Sequence, residues 1–487
     1  MKKTFLSICL MVIAVIMLGA CASTNTAATI STATVATAAA VQATATSPAQ
    51  AAAGDTSAPP APPDSAVPGG APPGSGSTSA AAGLASATGA YTLDGGTATE
   101  ENQTYTATNE DQSGVYVINN GNLTLTNPTV VTSGNTSSQD SSSFYGLNAG
   151  VLASGGSRVT ISGGTISTIG TGANGVFTQG SGTSVTLSDV TIAATADGGH
   201  GVMATNGGVM TLTNVDMTTA GPHSGVIATD RGGGTITVTG GTVLAKGADS
   251  PAIYSTGVIS ATDAVLTATG AEAAVIEGGN TIILNNADLS TTLEGKWGVM
   301  IYQSMSGDAE GTQGTFTMTG GSLAYTSATG PLFYVNNSTG VITLKGVKIA
   351  AASGVLIDAS ANSRWGTSGS NGGTVIFTAD SQTLGGSITA DNISAVTITL
   401  QNGSALTGAI NSAHTAKAAN LILDASSTWT VTADSYLTCL TTPSIAGDSI
   451  TNITGNGHTV TYDATACPAL DGKTYTLNGG GTLTPAK

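Results

Sequence analysis

Along most of the chain, apolar and small polar side chains alternate in short runs that return at a fixed interval. One element reads apolar, Thr-like, apolar, any residue, then Asn, Asp or Gly, two further residues, and apolar again. It stands as LTLTNPTV (123–130), VTISGGTI (159–166), VTLSDVTI (185–192), MTLTNVDM (210–217) and ITVTGGTV (236–243). It continues as ISATDAVL (259–266), IILNNADL (282–289), FTMTGGSL (316–323) and ITLKGVKI (342–349). Alternation with period two predicts half-buried strands. The fifth position holds Asn127, Gly163, Asp189, Asn214, Gly240, Asp263, Asn286, Gly320 and Gly346. These residue types enter the left-handed backbone region at least cost. A strand, one left-handed residue and a second strand make a sharp corner without a hairpin.

A second apolar run precedes each corner: GVLA, GVFT, GVMA, GVIA, PAIY, AVIE, GVMI, PLFY and GVLI, beginning at residues 150, 175, 201, 225, 251, 274, 298, 331 and 354. The spacing predicts a coil of about 24 residues, with an insertion near 303–314. Coils of this kind stack so that each strand hydrogen-bonds to its copies above and below. The expected fold is all-β, a right-handed parallel β-helix. Leu152, Phe177, Met203, Ile227, Ile253, Ile276, Met300, Phe333 and Leu356 are expected to form one ladder inside it. Helical solenoids conflict with the period-two pattern, and a sandwich would need hairpins that a coil-length repeat does not supply. Past residue 354 the units shorten, so 89–354 reads as the regular β-helix and 355–487 as its continuation and cap.

The body from about residue 90 resembles the pectin-lyase-like β-helix superfamily. The stretches GSALTG and SSTWTVTADSYL resemble the C-terminal β-helix segments of bacterial adhesins and autotransporter passengers. The resemblance rests on repeat form, so it implies architecture more than activity. Unlike the autotransporters, the sequence shows no barrel segment after the β-helix, which places the expected anchor at the other end.

There, Lys2 and Lys3 precede an apolar stretch from Phe5 to Leu18, in the order of a secretory signal. Leu18, Gly19, Ala20 and Cys21 spell LGAC, similar to the lipobox of bacterial lipoproteins. That resemblance implies removal of residues 1–20, a lipid on Cys21 and a location in the cell envelope, outside the cytoplasm, at the outer membrane or cell surface. Residues 21–88 are nearly all Ala, Thr, Ser, Pro and Gly and lack periodicity, so a disordered tether is expected. Cys439 and Cys467, 28 residues apart, are expected to pair in an oxidising compartment.

Composition narrows the partners. Charged residues are 8% and aromatics 4% of the chain, and the formal charge is -16 with 12 Lys and Arg. No basic patch stands ready for phosphates, so the charge balance disfavours nucleic acid as a ligand. The membrane is expected to be reached only through the lipid.

Candidate chemistry is sparse. Gly199, His200 and Gly201 spell the GHG found in polygalacturonases, but the paired Asp and RIK-type motifs of that family are missing, and a polar corner explains His200. No zinc spacing, calcium nonapeptide or Ser-His-Asp set stands out, and neither cofactor nor metal is expected. One strand edge is richer: Asp230, Arg231, Tyr254, Glu277, Trp297, Tyr302 and Tyr334, with Gln303 beside them, read as a stripe for carbohydrate or protein. Three functions stay open. They are an adhesin-like binding protein, a polysaccharide lyase or glycoside hydrolase using residues such as Arg231 and Glu277, and a structural spacer of the cell surface.

Overall fold

The structure, a computed structural model, describes residues 83 to 486. The expected signal segment, Cys21 and nearly all of the tether lie outside the described residues.

The body is a parallel β-helix of about 16 turns, each of about 25 residues. Three sheets run along it. The first has 12 strands, from Thr88–Asp94 to Ser387–Ala390; the second has 14, from Thr97–Glu101 to Cys439–Thr441; the third has 10, from Thr104–Ala107 to Lys348–Ala351. Within each sheet a strand pairs in parallel with its copies one turn away, as Leu187 does with Ile161 and Leu212. A fourth sheet of nine strands takes up from Thr383–Gly385, where the third has ended. All nine corner residues named above have positive φ, between 48° and 68°. The corners therefore come directly from the Asn/Asp/Gly position of the repeat.

Inside, side chains from the sheets merge into one apolar core, with Leu187, Leu212, Val238, Leu284, Phe316 and Phe377 all at or near zero exposure. The internal ladder of the first sheet differs from expectation by one residue in several turns. Leu152, Phe177, Met203 and Met300 belong to a second cluster on the outer face of that sheet, whereas Ala153, Ala204, Ile301 and Ile357 face the core. The physical reason is double burial: Val176–Gln179, Val202–Thr205 and Val299–Tyr302 are buried at every position. A run apolar on both faces carries no phase, and a one-residue slip exchanges the faces.

The C-terminal end abandons the pure parallel pattern. Tyr475–Asn478 and Thr482–Pro485 pair antiparallel, as do Ile445–Ala446 and Ser449–Thr454. Such returns stop the open edge from templating further strands. Cys439 and Cys467 form a disulfide with Cα atoms 4.9 Å apart, joining the last strand of the second sheet to the segment before a short 3-10 turn at Pro468–Leu470.

Candidate functional site

The outer face of the first sheet is roofed over. A short helix, α1 (Gln139–Tyr145), lies on it, opened by the Ser138 side chain accepting the Ser141 N–H and closed by Gly146 at φ 80°. A Cβ at Gly146 would collide with the Phe177 ring, so close approach as well as backbone conformation demands glycine there. Trp365, from the segment between Val355–Ala359 and Thr374–Asp380, joins the same roof, its ring centre 4.7 Å from that of Tyr302.

The predicted stripe lies under this roof. Tyr254, Tyr302 and Tyr334 are 4%, 1% and 3% exposed. Trp297, half-buried, stacks flat on Tyr334 with ring centres 4.1 Å apart. These rings do gather on one face, but they form a layer of packing. Glu277 is 2% exposed. Its carboxylate accepts hydroxyls from Tyr254, Ser304 and, at 2.7 Å, Tyr302. Burial, the largest influence, raises its pKa, and these hydroxyls oppose the rise. A carboxylate so enclosed is a brace between the sheet and residues 303–314, because its acceptor positions are occupied by the protein itself.

Arg231 and Asp308 complete that brace. Arg231 Nε and Nη2 donate to Asp308 Oδ1 at 3.2 and 2.8 Å, and the guanidinium lies 3.7 Å from the Phe144 ring centre. One cation therefore ties the insertion to α1. Asp230, whose Oδ1 accepts the Arg231 N–H at 2.7 Å, is held well above the usual carboxylate range by burial and then by the charge of Asp308. His200 is 3% exposed with Nδ1 2.9 Å from the Gly225 carbonyl oxygen, and burial pushes it down to about 4. It is a neutral spacer between turns. Asp197 pairs instead with His223, at 2.9 Å.

The second sheet presents the opposite picture, a face that nothing among the described residues covers. Its middle outward row, followed through the strand register, is Thr99, Thr124, Thr160, Thr186, Thr211, Thr237, Ser260, Ile283, Thr317, Thr343, Thr378, Thr399, Ile422 and Thr441. Every one is exposed or half-exposed, and none is charged. The flanking rows add Thr235, Thr281, Thr315 and Thr397 on one side, with Arg158 and the exposed Val209, Val258 and Ile376 among them, and Thr213, Thr239, Thr262 and Thr319 on the other, with Glu101 and the Lys345–Asp380 ion pair. Sheet geometry sets about 4.8 Å between turns and about 6.8 Å between outward positions on one strand. The result is a hydroxyl and methyl lattice about 60 Å long. Within its middle row the only hydroxyl pair is Ser260 to Thr237, at 3.4 Å. The Thr-like second position of the repeat was its visible signal; the preference of Thr for exposed strand faces masked it as mere propensity.

No protein-family model matches this sequence, and no curated protein matches it.

Proposed function

We propose that this is a cell-envelope binding protein, an adhesin-like β-helix held by a lipid on Cys21, that attaches to carbohydrate through the exposed face of the second sheet. The observation that carries the reading is the uncharged Thr row repeated over 14 strands. A neutral polysaccharide offers hydroxyls at its own constant repeat, and many weak contacts on one rigid body add through effective concentration. The outward face, about 60 Å by 14 Å from strand geometry, approaches the roughly 800 Å² per partner of stable interfaces. The lack of charge in the middle row suits a partner bound by hydroxyl contacts and bridging water rather than by ion pairing.

A polysaccharide-cleaving enzyme is the second reading, favoured by one observation: Asp230, with a raised pKa beside Arg231 and Asp308, has the environment of a general acid. One experiment separates the two. The purified body is mixed with insoluble β-glucans, chitin and mannans, and both sedimented protein and released sugars are measured. Retention without product supports the binding protein. Product formation that Asp230→Asn abolishes supports the enzyme, and neither response would leave a structural spacer. Membrane fractions of cells carrying Cys21→Ser test the anchor, since persistent membrane association would refute it.

A further inference from the structure

Beyond the end of the third sheet, residues 411–416 fold over the strand Ser435–Leu437 and shape a groove of about 230 Å³. Asn411 fixes that loop. At φ 50°, its side-chain carbonyl accepts the N–H groups of Thr415 and Ala416 at 2.9 and 3.0 Å, and its amide donates to the Tyr436 carbonyl at 3.1 Å. The exposed His414 ring is thereby laid on Tyr436, with centres 4.2 Å and planes 5° apart. Tyr436 points outward, and its partner in the next turn is Thr461. Tyr436 and Thr461, the latter a side chain too small to cover a ring, line the groove together, with the His414 stack on the same ring.

The groove's polar groups complement that ring. Lys417, exposed, has no side-chain hydrogen bond or ion pair among the described residues. Asp463 Oδ1 accepts the N–H groups of Thr465 and Ala466 at 2.8 and 3.2 Å, leaving Oδ2 for another donor. At about 230 Å³ the groove lies below the roughly 300–1,000 Å³ that holds drug-sized ligands, so it has room for one ring and not an oligosaccharide. An aromatic face takes the C–H face of a sugar, a carboxylate oxygen accepts one hydroxyl, and an ammonium donates to its neighbour. The chain's charge of -16 disfavours an anionic sugar.

We infer that this groove binds a single neutral pyranose unit, stacked on Tyr436 with adjacent hydroxyls on Asp463 and Lys417. The inference rests on the carbohydrate reading above, but on residues outside the Thr face. The test is an NMR titration of the body with the methyl glycosides of glucose, galactose and mannose, with methyl glucuronate as the acidic comparison. At least one neutral glycoside should bind with a Kd in the millimolar range, and Tyr436→Ala, Asp463→Asn and Thr461→Trp should each weaken it about tenfold, a change of about 1.4 kcal/mol. Thr461→Trp fills the groove without removing a contact, so it decides the matter if Tyr436→Ala fails to fold. No binding by any neutral glycoside, tighter binding of the glucuronate, or binding indifferent to Tyr436→Ala and Thr461→Trp would overturn the groove. Glutamates placed on the Thr face should leave monosaccharide binding unchanged while abolishing polymer retention, so either site can fail alone.

Discussion

At the residue scale, polar groups inside this body act as fasteners between turns. Glu277 gathers the hydroxyls of two tyrosines and a serine from different turns, so disturbing any of them loosens the roof over the first sheet. Tyr302→Phe should cost about 1–2 kcal/mol through the lost bond, and Tyr302→Ala about 3–5 kcal/mol through the added cavity. Denaturant unfolding that showed neither loss would mean the tyrosine is not part of the packing. Glu272 makes a pH-dependent contribution. Burial pushes its carboxyl up to about 7, while Lys296, whose ammonium is buried without a hydrogen bond, pulls it partly down. A raised folded-state pKa favours the protonated form, so its stabilisation is full below about pH 4.5 and is lost as pH climbs towards 7. Asp249, also raised by burial, acts in the same direction. Asp424 acts in the other: burial would raise it, but the N–H of Asn402 and the groups of Ser426 and Ser427 outweigh that and lower it to about 2, so its share is lost as pH falls from 3.8. The difference in unfolding free energy between Glu272→Gln and the parent should therefore change by up to about 3 kcal/mol from pH 4.5 to 7.5. A difference constant across that range would contradict the assignment.

At the element scale, corners and strands were legible and their facing was only partly so. Asn127, Asp189, Asn214 and Asn286 announce a left-handed residue by chemical type, and each has positive φ. The strands of the second sheet announce their phase because one face is wet, as in the buried and exposed alternation of Gly234–Thr239. Val176–Gln179 announces nothing of the kind, since water is excluded from both sides. The same blindness turned Tyr254 and Tyr334 into an expected binding stripe: aromatic residues on a strand look alike whether a ligand or Trp365 and α1 cover them. The roof comes from segments distant in sequence that carry no repeat. The cysteines were legible because a signal-like N-terminal pattern and a separation of about one turn both point to pairing. Their bridge closes a loop of 28 residues in separation, so Cys467→Ser, or reduction, should lower stability by about 3–4 kcal/mol. Calorimetry with and without reductant measures it, and an unchanged transition would show that the C-terminal turns hold without the bridge.

At the scale of the whole molecule, the repeat that builds the core also builds the surface. Most turns add inward apolar residues and one outward Thr to the second sheet, with Ser260, Ile283 and Ile422 as the exceptions, so the lattice lengthens in step with the solenoid. The first sheet is sealed by α1 and the insertions, and the second is left open. That asymmetry gives the body one broad polar face, and the proposed carbohydrate binding rests on that face rather than on the buried aromatic residues. The most direct measurement compares retention on the polysaccharide that best binds the parent for Thr211→Glu, Thr237→Glu and Thr317→Glu combined, and for Thr165→Glu, Thr191→Glu and Ser322→Glu on the third sheet. Both sets add three negative charges at outward strand positions, two exposed and one half-buried in each set. The first set should lose at least about tenfold in affinity with its thermal transition intact, while the second set should bind as the parent does. Equal loss in both sets, or unimpaired binding by the first, would contradict attachment through the Thr face.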